Sequence, residues 1–461
     1  MKKTGIILAV ISIIFVAFVL ILTDPVDQTP FYESAYYRQS NELIGKAKQN
    51  LAAAHDSVQA GFSKVSITPG LNNLTDEPAK GKFKSVPLAG FGARKGKGAT
   101  GIHDSIFVKA VALKVGSQKI IFVGADLLIM PPNIIDSVTV ALKKKGIERE
   151  QVYFSASHTH SSLGAWGPGF LGEQFAGKAN QNIQKWLTTQ IIRAVVDAEN
   201  NIHPAKIGYG IFKAGNLTRN RLIGDAGIKN DDFGYIYLER NDGKKAVIGS
   251  FSAHATTMGA GNMEISADYP GYWQRKMEAT SVNLAVFIAG SIGSQSPVGE
   301  GNGFEKPRYI GETLADSLNR YLPRTNLTPG LKLLPVTVKL PLPEFHIRIS
   351  NNRGLSSSVS NKLMATPQNP YLQAIRIGQM VWVSTPGDFS GEYAVQIKNN
   401  LAVNGFMSNV SSFNGSYLGY IIPGRYFYMN EYEPRTMGWF GPNMGDYTMD
   451  VIRRISDLAI Q

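Results

Sequence analysis

Residues 106–115 and 119–126 are apolar runs rich in Val, Ile, Phe and Ala, residues 132–145 carry apolar positions at helical spacing, and residues 151–155 return to a strand pattern. This strand–helix–strand order predicts an α/β body. Further strands are expected at 61–67, 205–211, 233–239, 246–253, 285–289, 331–340 and 374–384. Helices are expected at 181–199, 271–278, 307–321, 391–401 and 444–459. No internal repeat and no Ser- or Pro-rich linker interrupts this stretch. The expected fold is therefore α/β, with a mixed β-sheet core and flanking helices in a single large catalytic domain over 60–461. With 43% hydrophobic residues, a body of this length can bury its core without covalent staples.

The N-terminal end reads differently. Residues 5–22 are uncharged and apolar, preceded by Lys2 and Lys3 and followed by Asp24 and Asp27. Eighteen such residues just span the ~30 Å hydrocarbon layer as a helix. Lysines on the N-terminal side orient such a helix with its start in the cytoplasm. Residues 1–24 are expected to be a transmembrane signal anchor, with the catalytic domain extracytoplasmic, either periplasmic or extracellular. The alternative is a signal peptide that is cleaved, giving a secreted protein. Residues 25–59 are expected to form a helical stalk, with Leu43, Ile44, Ala47 and Leu51 on one face.

The chain has no cysteine, which excludes disulfides, thiolate metal sites and a cysteine nucleophile. Its net charge of +12 is dispersed, and no arginine stripe with interleaved aromatics is present. No nucleic-acid partner is expected. An anionic membrane surface suits the charge better, and the oligomeric state is not readable.

Three polar segments follow expected strands. Ser157-His158-Thr159-His160-Ser161 follows 151–155, and two imidazoles at the end of a buried strand are a metal-ligand pattern. A pair of hydrogen-bonded surface histidines is the alternative. His254 follows 246–253. The segment 289–298, crowded with glycine and hydroxyls, follows 285–289. Open α/β sheets bind ligands outside the carboxyl ends of their strands. No H-E-x-x-H, G-x-S-x-G or G-x-G-x-x-G occurs.

Taken together, the segments resemble the catalytic domain of the neutral ceramidases, the neutral/alkaline non-lysosomal type, over about residues 60–456. The family's T-H-T-H-S is S-H-T-H-S at Ser157–Ser161 here, and its V-H-x-T-S-M is A-H-A-T-T-M at Ala253–Met258. N-R-S is matched in part by Asn220-Arg221-Leu222, and N-x-G-D-x-S-P-N in part by Ser291–Val298. P-G-E-F appears as Pro386-Gly387-Asp388-Phe389. G-Y-x-x-T…Y-E resembles Gly419-Tyr420 and Tyr432-Glu433. Six motifs in the same order are jointly specific.

The resemblance implies a zinc amidase that splits the N-acyl bond of ceramide or a related N-acyl lipid. It implies Zn2+ held by His158, His254, Asp388 and Tyr420, with His160, Arg221, Ser296 and Tyr432 acting on the substrate. Zinc with an open position acidifies bound water and polarises a carbonyl. His160 could then pass a proton to the leaving amine. Arg221 and Tyr432 could donate to the oxyanion, and Ser296 is read as a donor in preference to a nucleophile. Asp388 stands where the family has Glu, one methylene longer, with Glu392 as the nearest other acid. The family's additional C-terminal immunoglobulin-like domain is not expected here. Two other functions are compatible: an inactive lipid-binding protein on the same scaffold, and a metal-dependent esterase or amidase of a soluble substrate.

Overall fold

The computed structural model describes residues 6–7, 19, 21–364 and 370–461. The expected anchor at 1–24, with its apolar run 5–22, lies mostly outside the described residues. Among the described residues, no helix is long and apolar enough to cross a membrane.

One branched, twelve-stranded sheet organises the body. Its branch point is the long strand Ala54–Ser66. Along one edge that strand pairs antiparallel with Phe107–Val115, which continues to Gln118–Ala125 and then, in parallel, to Val152–Ala156. Its other edge divides between Gly330–Lys339 near its start and Ile202–Lys213 in its middle. From Ile202–Lys213 the order runs to Asp232–Arg240, Lys245–Phe251 and Leu284–Ala289. From Gly330–Lys339 it runs to Tyr371–Ile377, Met380–Ser384 and Met407–Ser411.

Strand alternation places successive side chains on opposite faces, and here both faces are apolar. On Gln118–Ala125, Ile120 and Phe122 join an inner cluster with Ile248, Val286, Ile375 and Trp382. Ile121, Val123 and Ala125 face outward onto the helices Pro132–Lys143 and Gln181–Glu199. The sheet thus folds on itself around a dry inner core. Separate helical layers cover its outer faces: Asp268–Thr280 with Glu305–Tyr321 on one wing, and Gly391–Ala402 with Met444–Ala459 on the other. This is the expected mixed sheet with flanking helices, in two apposed layers.

Two local expectations change. The strand read at 374–384 is two strands, Tyr371–Ile377 and Met380–Ser384, joined by a tight turn. Gly378 takes φ 61° there, a left-handed conformation that glycine adopts without steric cost. The turn is only Gly378-Gln379, and buried apolar residues resume at once with Met380, so the two strands read as one. The helix expected in the stalk spans Ala35–Gln49 and lies against the body. Its Ile44 is buried, its Ser40 hydroxyl meets the Tyr447 hydroxyl, and Tyr36 packs edge-on against Tyr447 at 4.8 Å. Ser34 caps it by accepting the Tyr37 N–H.

The strands Gln118–Ala125 and Leu284–Ala289 approach closely at Gly124, where an added Cβ would meet Val286 Cγ1 at 2.6 Å and the Phe287 carbonyl oxygen at 2.8 Å. Backbone cannot retreat as a flexible side chain can. Gly124→Val is expected to destabilise the fold by about 1–3 kcal/mol through overpacking, read as a lower midpoint in urea unfolding. An unchanged midpoint would contradict this close approach.

Candidate metal centre

The parallel strand pairs set the site. His158 follows Val152–Ala156, His254 follows Lys245–Phe251, Asp388 follows Met380–Ser384, and Phe413 follows Met407–Ser411. The carboxyl ends of strands from both wings converge on one point, as open α/β sheets do at ligand sites. The three imidazoles of His158, His160 and His254 offer nitrogens that all lie within 4.8 Å of one another.

The H-x-H pair is close for a reason other than extended alternation. His158 takes φ 61°, left-handed for a non-glycine residue, and turns the chain immediately after the strand. Such backbone persists only where its surroundings enforce it. Phe413, itself at φ 67°, stacks on the His158 ring at 4.4 Å and 7°.

Second contacts distinguish the histidines. His158 Nδ1 is 2.7 Å from the Leu128 carbonyl, and His254 Nδ1 is 2.8 Å from the Ile292 carbonyl and 3.1 Å from that of Gln295. A carbonyl only accepts, so both Nδ1 atoms carry the proton and both Nε2 atoms present a lone pair. This orientation of imidazoles through a second contact is typical of metal ligands. His160 differs: its Nδ1 is buried with no hydrogen-bond partner, and its Nε2 lies 3.0 Å from His158 Nε2. All three rings are neutral near pH 7. Burial, reinforced by His254 and Arg221, pushes His158 down to about 3, and burial lowers His160 and His254 well below the usual value.

Asp388 completes the cluster. Its Oδ1 lies 3.3 Å from His254 Nε2 and 3.6 Å from His158 Nε2. Oδ1 is buried without a hydrogen-bond donor, while Oδ2 accepts from the Tyr417 hydroxyl at 2.8 Å. Burial pushes this carboxyl up, against the pull of His158, Tyr417 and Arg221. A buried carboxylate oxygen facing two lone-pair nitrogens, those of His158 and His254, is a costly arrangement unless a cation completes it. The donor set fits an imidazole-preferring transition metal.

The shorter acid reaches the cluster because its backbone sits deep. Asp388–Phe389 pairs in parallel with Tyr420–Ile421. A Cβ on Gly293 would lie 2.4 Å from the Asp388 carbonyl oxygen, and one on Gly387 would lie 2.4 Å from that of Gly419. Glu392 is engaged elsewhere, by Arg425 and by the Tyr426 hydroxyl at 3.1 Å.

The Tyr420 hydroxyl is 3.1 Å from His254 Nε2 and 2.8 Å from Arg221 Nη2. Arg221 also reaches His254 Nε2 at 3.2 Å, and its Nε donates to Glu433 at 2.7 Å. Burial works against the Arg221 charge, but Tyr420, Glu433 and Asp388 outweigh it, so it stays cationic. Tyr432 sits at the pocket edge, half-exposed, its ring 6.0 Å from Tyr420. Burial together with Asp388 pushes its phenol up to about 12, which keeps it a donor.

Seven of the eight expected site residues therefore meet in one place. Ser296 does not. Its hydroxyl accepts from Arg219 Nε at 3.2 Å, and it does not line the pocket. Side chains alternate on the short strand Gln295–Pro297, and the inward position belongs to Gln295. The Gln295 amide donates to Thr218 Oγ1, the Asn230 carbonyl and the Ser252 carbonyl. Sequence reading missed Tyr417 and the full role of Glu433. A tyrosine three residues before Tyr420 was the available signal for the first.

The cluster forms one wall of a cavity of about 710 Å3, otherwise lined largely by apolar groups including Phe91, Leu128, Ile129, Trp166, Phe175 and Trp439. That is within the ~300–1,000 Å3 range of small-molecule sites.

Comparison with known proteins agrees with the motifs. A family model described as neutral/alkaline non-lysosomal ceramidase, N-terminal, matches residues 76–223. The neutral ceramidase of Pseudomonas aeruginosa is 25% identical over 260 residues, which are 50% of this chain and 38% of that protein. The match thus spans well under half of the relative's length. A crystal structure of neutral ceramidase from Pseudomonas aeruginosa superposes with TM-score 0.72 at 18% identity, covering 88% of this chain and 75% of that one. A ceramidase complexed with C2 gives TM-score 0.73 at 18% identity, covering 87% and 75%. The likeness to neutral ceramidases is therefore found in a family model, in sequence and in fold. The matched family segment holds His158, His160 and Arg221. The convergence of His254, Asp388 and Tyr420 on them is a property of this structure.

Tyr417→Phe removes the donor to Asp388 Oδ2, and Gly293→Ala pushes on its backbone. Each is expected to weaken transition-metal binding about 10–100-fold, as losing an outer contact does, in a chelator competition. Glu392→Gln is expected to leave metal affinity unchanged. If Glu392→Gln weakens binding and Tyr417→Phe does not, the carboxylate assignment is wrong.

Proposed function

We propose that the chain hydrolyses the N-acyl amide bond of ceramide or a related N-acyl lipid, using Zn2+, to release a fatty acid and a sphingoid base. The observation that carries this reading is the buried Asp388 Oδ1 facing the neutral His158 and His254 imidazoles, with His160 clustered beside them, in the wall of a largely apolar cavity. The likeness to neutral ceramidases supplies the bond and the substrate class. His158, His254, Asp388 and Tyr420 would hold the ion. Zinc supplies Lewis acidity, acidifying water and polarising an acyl carbonyl.

The chain's own residues do the rest. Phe91, Trp166, Phe175 and Trp439 bury an acyl chain and exclude water. Arg221, fixed by Glu433, directs its second nitrogen into the cluster and stabilises negative charge developing on the acyl oxygen. Tyr432 at the cavity edge donates from a phenol that stays protonated through the physiological range. His160 is neutral and lacks the carbonyl contact that orients the other two rings, so it is free to accept a proton at one nitrogen and return it to the departing amine. Ser296 has no place in this scheme, being turned toward Arg219.

Localisation belongs to the same proposal: the run 5–22 anchors the chain with its body outside the cytoplasm. A C-terminal reporter active only outside should work, and one active only inside should fail.

Two measurements test the activity. Chelated protein should lose hydrolysis of an N-acyl lipid panel, followed by mass spectrometry, and recover it on adding zinc. Zinc at 100 times its Kd should stabilise the fold by about 2.7 kcal/mol. Second, His158→Ala should lose zinc and activity together, while His160→Ala should lose activity and keep most of its zinc. Tight lipid binding without turnover by the zinc-loaded protein would instead make it a binding protein.

A further inference from the structure

The cavity mouth and the exit of the N-terminal apolar run are built from the same stretch of chain. Thr23–Pro25 pairs antiparallel with Arg353–Leu355. The Ser356 N–H donates to the Leu22 carbonyl at 2.8 Å. Arg353 clamps the turn, with Nε on Thr23 Oγ1 at 2.8 Å and Nη2 on the Thr23 carbonyl at 2.8 Å. The end of the run 5–22 is thus fixed to the body with no intervening linker.

That anchoring segment is itself part of the cavity rim. The helix Ser357–Leu363 follows it directly and leads into Met364, which lines the cavity. Seven helical residues advance only ~10 Å. Gly169 packs so closely there that a Cβ would lie 2.9 Å from the Leu363 carbonyl oxygen, and the helix Gly169–Ala176 that it starts contributes Gly172 and Phe175 to the cavity. On the other side, Arg348 donates to the carbonyls of Phe427 at 2.6 Å and Pro434 at 2.9 Å, and Arg435 to that of Ile349 at 2.8 Å. These contacts tie the same strap to the stretch that carries Tyr432, Met437 and Trp439.

Large apolar side chains stand in solvent on these same elements: Ile21 at 73% exposure, Phe170 at 63%, Ile349 at 46% and Tyr428 at 41%. None of the four lines the cavity itself; they stand on the elements that bound it, and exposed apolar groups so placed mark an interaction surface. A chain of eighteen uncharged residues ending on that surface identifies its partner as hydrocarbon.

We infer that this rim is a bilayer-docking face, which holds the cavity mouth against the membrane so that a membrane-resident lipid enters from the bilayer without crossing water. The docking face follows from the rim geometry, and only the fate of the lipid rests on the amidase reading. The physical advantage is that an acyl chain passing straight from bilayer to cavity never exposes its methylenes to water.

The chain has no cysteine, so single-cysteine labels report unambiguously. Full-length protein carrying a polarity-sensitive fluorophore at Phe170→Cys or Tyr428→Cys is reconstituted in phosphatidylcholine–phosphatidylglycerol vesicles with brominated acyl chains. Labels at Lys145→Cys and Val403→Cys, beyond the far ends of helices that run away from the site, serve as references. Strong quenching at the two rim positions and none at the two far positions is the expected result. Equal quenching at all four, or none at the rim, overturns the inference. Disulfide-linked copies through Phe170→Cys with no quenching would mean that a second copy covers this face, and also overturn it. Hydrolysis of a short, water-soluble N-acyl substrate by unlabelled protein is measured in parallel. Its absence with the rim pattern intact sinks the amidase reading and leaves the docking face supported.

Discussion

Asp388 Oδ1 is the atom around which the site makes sense. It is a buried carboxylate oxygen with no hydrogen bond of its own and two imidazole nitrogens at 3.3 and 3.6 Å. Two surrounding hydrogen bonds hold those rings with lone pairs inward, and Tyr417 holds the other carboxylate oxygen. Each contact makes the enclosed charge harder to relieve without a cation. Arg221 supplies a partial answer by leaning on His254 and Tyr420, but Glu433 already takes a share of its charge. A small cation with several open coordination positions would relieve what remains.

The architecture explains how that strain is tolerated. The ligand-bearing loops leave the carboxyl ends of strands from different wings of one branched sheet, and the inner core of Phe122, Val286, Trp382 and their neighbours locks the wings together. Left-handed backbone at His158 and Phe413 is then over-determined by rigid strands on either side. Behind His254, the buried amide of Gln295 binds three backbone and hydroxyl oxygens, while its backbone carbonyl takes the His254 proton. A polar network that is fully satisfied in this way rigidifies the ligand it supports.

How much of this was legible in the sequence depends on whether the deciding interaction is local. The S-H-T-H-S segment was legible from its residues, because two histidines after an apolar strand have few structural uses, whereas His254 as a ligand and the Pro386–Phe389 segment were reached through the family resemblance. The helix Met444–Ala459 was readable to its ends from apolar periodicity. The turn at Gly378 was not, since residues on both sides are equally buried. The packing of Ala35–Gln49 was not, since Tyr36 and Ser40 read as stalk residues until Tyr447 is set opposite them. Ser296 was misplaced because a motif match says nothing about which face of a two-sided strand a residue takes. Tyr417 was missed because its purpose depends on an oxygen twenty-nine positions away.

A site of this kind has to reconcile two opposed environments. The ion and its ligands need enclosure, because electrostatic interactions strengthen as water is excluded. The proposed lipid substrate would need an opening wide enough for a chain of methylenes. The structure separates the two along the cavity: the imidazoles and Asp388 lie at the strand ends, buried, while the opening is bounded by short helices and straps carrying half-exposed aromatics. The opening is held in shape by arginine-to-carbonyl contacts from Arg348, Arg353 and Arg435, which bind backbone in preference to acids. Such contacts do not depend on the protonation of a carboxylate partner. Near an anionic surface, where local proton and cation concentrations rise, a rim pinned by carbonyl acceptors keeps its geometry where one pinned by surface ion pairs would loosen.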